Sequence, residues 1–315
     1  MDPAGGAPGG VCPVLAGPTG VGKTALVLEL AARLPLEVIS LDSRQIYRGL
    51  RLGTAQPTAE EQAVCRHHLI DFVPPTQAYS AARFRRDFSA AWRDVRARGK
   101  VPLLVGGAGL YLAAVQKGLL RVPGLDPATT ERVRAQLVHL PDKEIRARLR
   151  EADPASWERI PPADRYRSQR ALEICLATGR AMSAHLAEQV PDPALGLRFP
   201  LVYVTRPRAE LHARIATRAR AMLRAGWIAE TEELMREHGP AARALRAIGY
   251  RQIVACVQGQ LPPAALEDRI VAGTRQYAKR QETWFRPLPK AATGAPDDPA
   301  LLQTLARLLE EAAAT

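Results

Sequence analysis

Cysteine and lysine are scarce in this chain, and long apolar runs are missing. The four cysteines, Cys12, Cys65, Cys175 and Cys256, are scattered, with no C-x-x-C pair. That spacing supports neither a zinc site nor a disulfide framework, and it fits a reducing compartment. No hydrophobic stretch approaches the roughly 20 residues needed to span a bilayer. The opening segment, MDPAGGAPGG (1–10), lacks the basic start and apolar centre of a signal peptide, and reads as a frayed leader. The expectation is a cytoplasmic protein with no membrane partner.

What is present is charge. Lys plus Arg is 44 against 32 for Asp plus Glu, a net charge of +12 over 315 residues. The length allows two or three domains, and a hydrophobic fraction of 47% suits a globular protein. Such a basic excess suits a polyanionic partner. The set is lopsided, with 6 Lys and 38 Arg, amid abundant Ala, Pro and Gly. Biased genome composition accounts for that, so each arginine needs a positional argument.

Along the chain, short apolar runs at 11–16, 37–41 and 101–105 read as buried strands. Helical patterns follow at 23–34, 80–98 and 109–118, the second with Ser80 as N-cap and Gly99 as stop. This alternation predicts an α/β domain with a parallel sheet flanked by helices, of the P-loop NTPase-like class. Residues 120–195 are charged, helical in period and free of strand candidates, so they read as a helical insertion domain. A core strand returns at 198–204, followed by helices near 208–224, 227–238, 240–257 and 263–286. The catalytic core is thus assigned to 11–119 and 196–290, with a linker and a last helix in 291–315.

The sharpest motif is Gly17-Pro18-Thr19-Gly20-Val21-Gly22-Lys23-Thr24, a G-x-x-x-x-G-K-[ST] loop between a strand and a helix. Glycines let backbone N–H groups converge on an anion, the helix N-terminus adds partial positive charge, and Lys23 adds a full one. The Thr24 hydroxyl is the candidate ligand for Mg²⁺ bridging phosphates. The loop reads phosphates and not nucleosides. The absence of N-K-x-D argues against a GTPase, and the lack of a strand ending in D-E argues against an ATP-driven motor.

Asp42 follows the second strand, where ligands gather at the carboxyl ends of an open sheet. It can serve as a general base, hold Mg²⁺ through water, or form a turn with Ser43. Arg218 falls within the apolar stripe of helix 208–224, about 20° from the direction of Leu211 on the side away from Ile215. A core-facing arginine needs an anion or an ion pair, so it is either a phosphate clamp or the partner of a structural carboxylate. On helix 263–286, Arg275, Lys279, Glu282 and Arg286 share one face, and Ile270, Tyr277 and Trp284 the opposite one. The aromatic face would pack inward and leave the basic stripe outward. Arg243, Arg246 and Arg251 form a second basic cluster, and Arg165, Arg167 and Arg170 a third. On sequence alone they suit either a groove for a folded RNA or ordinary solvated faces.

Taken in order, GPTGVGKT (17–24), DSRQIYRGLRLGTAQP (42–57), HHLIDFVPPTQAYSAARFRRD (67–87) and VPLLVGGAGLYL (101–112) carry a family likeness. DRYRSQRALE (164–173), RAIGYRQ (246–252) and RQYAKRQETWFR (275–286) continue it. Together they closely resemble the bacterial tRNA dimethylallyltransferases, over residues 11–287. The resemblance implies transfer of a dimethylallyl group from dimethylallyl diphosphate to N6 of adenosine 37, beside the anticodon. The acceptors would be tRNAs reading codons that begin with U, and the product N6-dimethylallyladenosine. It implies Mg²⁺ with the diphosphate in the phosphate loop, Thr19 near the reaction centre, Asp42 as general base, and Arg218 on the departing pyrophosphate. It implies RNA contacts at Asp42, Ser43, Arg44 and Gln45, at Ala108, and at Tyr166, Arg167, Ser168, Gln169 and Arg170. Further contacts are implied at Arg246, Ala247, Ile248, Gly249, Tyr250 and Arg251, and at Lys279, Arg280, Gln281, Glu282, Thr283, Trp284, Phe285 and Arg286.

There are departures. Ala108 stands where the family has threonine, and Asp164-Arg165-Tyr166-Arg167 replaces the usual D-P-x-R. The insertion is short, and no C-terminal zinc finger follows, which favours a bacterial form. The working expectation is a monomer gripping an anticodon stem-loop. The competing readings are a P-loop small-molecule kinase using ATP and a non-enzymatic nucleotide-binding regulator of RNA.

Overall fold

A computed structural model describes residues 10–123 and 125–314. Six strands form the sheet: β1 (Val14–Ala16), β2 (Leu36–Leu41), β3 (His67–His68), β4 (Val101–Gly106), β5 (Leu201–Val204) and β6 (Ala292–Gly294). They are parallel throughout, in the order β3-β2-β4-β1-β5-β6. Unbroken apolar runs suit strands covered on both faces, and β1, β2 and β5 are buried along their whole length. Glu37, the carboxylate within β2, is held by His68 and by Arg98, each at 2.6 Å. Burial raises its pKa, but the hydrogen bonds from Arg98 and His68 outweigh this and hold it below the usual carboxylate range.

The chain leaves β1 for β2 on one side and returns through β4, which lies directly beside β1, before reaching β5 on the other side. The switch point therefore falls between β1 and β4, where the carboxyl ends open a crevice. The phosphate loop follows β1, Asp42 follows β2, and Gly106-Gly107 closes β4.

Two compact units emerge, one from Met1–Lys117 with Asp192–Thr315, the other from Gly118–Pro191. The smaller unit has five helices, Pro127–Leu137, Asp142–Ala152, Pro154–Arg159, Arg165–Thr178 and Met182–Ala187, and no strand among its described residues. Its own core gathers Leu137, Ile145, Leu149, Ala171 and Leu172. No helix of the described residues is long and apolar enough to cross a membrane.

Helix Ala81–Ala97 begins as expected, with Ser80 Oγ accepting the N–H of Arg83, and Gly99 at φ +67° ends it. Three sequence expectations change. β3 is two residues long, too short for an apolar run to announce it. The stretch read as a linker contains edge strand β6, which pairs with β5 through Ala292, Thr293 and Gly294. The helix expected at 240–257 is divided into a short turn, Arg243–Arg246, and a helix, Tyr250–Val257. Gly249 makes the break, at φ +89°, with the Trp227 ring where a Cβ would stand 2.0 Å away. The leader lies outside the described residues except for Gly10, whose carbonyl accepts the N–H of Arg198.

Candidate active site

The phosphate loop turns from β1 into helix Lys23–Ala31, with Gly20 and Gly22 in the left-handed region at φ +84° and +114°. No side chain caps the helix, so its first N–H groups and their partial charge face the loop. Lys23 Nζ donates to the carbonyls of Gly17 at 2.9 Å and Pro18 at 3.2 Å. Its pKa is pulled down to about 8, first by burial and then by the charge of Arg218, with Asp42 opposing.

Asp42 and its loop form the next wall. Asp42 Oδ1 accepts the N–H of Arg44 at 2.7 Å and of Gln45 at 3.2 Å. The turn-forming role and a chemical role therefore coexist, since the turn uses one carboxylate oxygen and leaves the other. The Gln45 amide accepts from Ser40 Oγ and donates to the carbonyls of Thr54 and Ala55. It anchors the loop from inside.

Helix Arg208–Arg224 supplies the facing wall. Arg218 Nη2 donates to Thr19 Oγ1 at 2.7 Å, and no ion pair with a carboxylate is found for it among the described residues. Of the two sequence readings, the geometry matches a clamp beside the loop. Burial lowers its pKa, Asp42 opposes, and neighbouring Arg214 adds to the lowering. Arg214 Nε donates to Gly20 O at 2.9 Å, and Arg206 Nε to Val21 O at 2.8 Å. Neither arginine was expected at the site. The available signal was Arg214 four residues before Arg218, on the same helical face.

Two cavities meet here. One, of about 750 Å³, runs along the phosphate loop and includes Lys23, Thr24, Arg214 and the Gly106-Gly107 turn. The other, of about 270 Å³, has an apolar floor of Ile215, Met222, Trp227 and Ile270 under a rim of Arg44, Arg246, Arg251 and Arg280. Thr19, Asp42, Thr54 and Arg218 line both. Arg246, Arg251 and Arg280 have no carboxylate within ion-pair distance among the described residues, so their charge is available to a ligand. Tyr277 lies on the second cavity's wall, with its pKa raised chiefly by burial and further by Asp42.

Helix Leu266–Phe285 is turned from its expected orientation. Its buried line runs through Ile270, Ala278, Gln281 and Phe285, while Tyr277 and Trp284 are only half-buried. Lys279, Arg280, Thr283 and Arg286 are exposed, and Glu282 is half-buried. Six positions carried over as RNA contacts are buried: Ser168, Ala247, Gly249, Tyr250, Gln281 and Phe285. Tyr250 donates to Glu230 Oε1 at 2.6 Å and accepts the N–H of Gly53. Ala108 is half-buried against the core, its N–H bonded to Leu41 O.

In the smaller unit, Tyr166 is 80% exposed and Arg167 is exposed, though near Asp164. Arg170 and Gln169 turn inward to buried Glu173, and Arg165 pairs with Asp142. That cluster is therefore internally neutralised, unlike the one around Arg246.

The residues suit a hard, oxygen-ligated cation. Thr24 and Asp42 offer oxygen to the first cavity, and the described residues hold no group of three or more His, Cys, Asp or Glu side chains that would form a cage. Mg²⁺ held by one or two protein oxygens and by phosphates has this profile.

Comparison with known proteins identifies the family. A family model described as IPP transferase matches residues 45–287, and one described as isopentenyl transferase matches 12–75. A tRNA dimethylallyltransferase from Chromobacterium violaceum is 45% identical over 289 residues, 90% of this chain and 89% of that protein. The tRNA isopentenylpyrophosphate transferase of Bacillus halodurans superposes with a TM-score of 0.68 at 32% identity, over 96% of this chain and 97% of that one. A eukaryotic dimethylallyltransferase acting on tRNA gives 0.76 at 26% identity, over 91% and 74%. With a family model matched over residues 45–287 and a relative 45% identical over 90% of its length, the chain belongs to the IPP transferase family.

Proposed function

We propose that this protein transfers the dimethylallyl group of dimethylallyl diphosphate to N6 of adenosine 37 in tRNA, with the anticodon stem-loop as its docking partner. The observation that carries the reading is the meeting of two unlike cavities at Thr19, Asp42 and Arg218. One suits a diphosphate, with loop amides, Lys23, Arg214 and Arg218. The other suits a flat base, with an apolar floor and an arginine rim for the neighbouring phosphates. A base must leave its stack to enter such a cavity, as base-modifying enzymes require. A small-molecule kinase also needs an acceptor pocket, but it has no use for the arginine rim around this one.

The chemistry is one displacement. The N6 nitrogen attacks C1 of the allyl group, the C1–O bond breaks, and pyrophosphate leaves with the bonding pair. Asp42 takes the proton from N6 as the nitrogen becomes positive. Lys23, Arg218 and Arg214 are aimed where negative charge grows on the leaving group, which lowers the barrier most in a site shielded from water. Arg218 also holds the Thr19 hydroxyl, which fixes the loop between the two substrates. Mg²⁺, held by Thr24 and the diphosphate with Asp42 nearby, would neutralise part of the leaving-group charge. The reaction takes place in the cytoplasm on a monomer.

The test is to mix the protein with unmodified tRNA, Mg²⁺ and labelled dimethylallyl diphosphate, and then to digest the RNA. Label on adenosine 37 supports the reading. No label on RNA, with phosphoryl transfer from ATP to a small acceptor instead, overturns it.

A further inference from the structure

Gln281 sits in helix Leu266–Phe285, 5% exposed, with its amide used at both ends. Its Oε1 accepts the N–H of Thr19 at 2.9 Å, and its Nε2 donates to the carbonyl of Gly107 at 3.1 Å. One side chain thus joins the phosphate loop, the turn after β4 and the helix. The approach is tight, for a Cβ on Gly107 would stand 2.0 Å from Nε2. Trp284 closes in the same way over Gly109, at 2.1 Å from such a Cβ.

Thr19 is consequently held from two directions. Gln281 takes its amide and Arg218 its hydroxyl. Thr19 lines both cavities, so its orientation decides how the diphosphate side faces Asp42. The helix that carries Gln281 inward carries Lys279, Arg280, Thr283 and Arg286 outward. Only a side chain with one acceptor and one donor completes both bonds. An apolar side chain leaves a buried N–H and a buried carbonyl unpaired. An ionised carboxylate leaves the Gly107 carbonyl facing negative charge.

We propose that Gln281 is a positioning residue that fixes Thr19 and joins the RNA-facing helix to the phosphate loop, so that RNA docked on the helix sets the loop for the diphosphate. This rests on the transferase reading above.

The full-length wild type, Gln281→Met and Gln281→Glu are assayed for transfer, and the affinity for inorganic pyrophosphate is measured with and without tRNA. Failure of the wild type to modify tRNA overturns the transferase reading itself, whatever the variants do. With an active wild type, kcat of Gln281→Met falls by about 10–100-fold, the scale of a small misplacement of reacting groups. Its affinity for tRNA stays within about twofold, as expected for a buried residue away from the RNA surface. The effect of tRNA on pyrophosphate affinity, present in the wild type, is lost. In Gln281→Glu the introduced carboxyl regains a donor for Gly107 when protonated, while still accepting from Thr19. Its kcat relative to wild type therefore rises as pH falls between about 8 and 5, as the carboxyl's protonated fraction grows. A packing role alone gives a flat ratio. A flat ratio, a kcat near wild type, or a tRNA effect on pyrophosphate that is absent from the wild type or survives in Gln281→Met overturns the proposal. If Gln281→Met does not fold, the pH ratio of Gln281→Glu decides alone.

Discussion

Asp42→Asn separates the two tasks of this residue. Oδ1 accepts two backbone N–H groups, at 2.7 and 3.2 Å, and so shapes the loop. An asparagine presents the same acceptor in the same place, so the loop survives. What it lacks is an oxygen that can take a proton. General-base catalysis is worth about 10²–10⁴-fold, or about 2.7–5.4 kcal/mol at 1.36 kcal/mol per tenfold. Single-turnover transfer at neutral pH is expected to slow by that amount. The sign of a second measurement is opposite. Asp42 favours the charged forms of Lys23 and Arg218 and offsets their charge, so removing its negative charge leaves the cleft more cationic. Pyrophosphate should bind more tightly to Asp42→Asn than to wild type, with tRNA affinity nearly unchanged. Asp42→Ala differs because it strands both N–H groups, at about 1–3 kcal/mol each if buried. It should lose stability as well as rate. A transfer rate for Asp42→Asn within about tenfold of wild type refutes the general-base role. A weaker grip on pyrophosphate would mean that the loop, not the chemistry, was damaged.

Other consequences concern charge. Lys23 titrates at about 8 in the free protein. Its protonated form attracts the diphosphate, so the donor KM should be flat below that pH and rise as pH climbs through it. A KM flat to pH 10 would remove Lys23 from the binding step. Arg214→Gln loses a cation and its bond to Gly20 O, so the inhibition constant of pyrophosphate should rise about tenfold, the scale of one charged hydrogen bond. No change would make Arg214 a brace for the loop only. Lys279→Ala and Arg286→Ala remove exposed cations, so tRNA binding should weaken and its log–log salt slope should shallow by about one unit each. An unaltered slope puts that helix outside the interface. Arg170→Ala should act differently. It takes a partner from buried Glu173, so the melting temperature should fall, with little change in the salt slope.

Much of the fold was legible because it rests on local patterns. β1, β2, β4 and β5 are apolar runs bounded by turn residues, and Ser80 and Gly99 punctuate their helix chemically. Edge strands β3 and β6 were not legible, for an edge strand needs little apolar content and is specified by its neighbour. His67-His68 pairs with β2, and Ala292, Thr293 and Gly294 with β5. The break at Gly249 was hidden for a similar reason. Glycine within a helical pattern is tolerated, and only the Trp227 ring from a distant helix shows why a side chain cannot stand there.

The site separates what a motif states from what packing adds. The phosphate loop, Asp42 and Arg218 follow from residue type and spacing, and each lies where that spacing required. A segment carried over whole as an RNA contact has two sides. Among Lys279 to Arg286, the exposed members alternate with Gln281 and Phe285, which face the catalytic turn and the core. Charge count misleads in the same way. Arg165, Arg167 and Arg170 form as dense a cluster in sequence as Arg243, Arg246 and Arg251. The first three sit near Asp142, Asp164 and Glu173, so their field is largely cancelled. Arg246 and Arg251 line a cavity beside Asp42 with no carboxylate paired to them among the described residues. In a chain whose composition favours arginine everywhere, which arginines keep a counter-charge is decided by tertiary packing and not by sequence density.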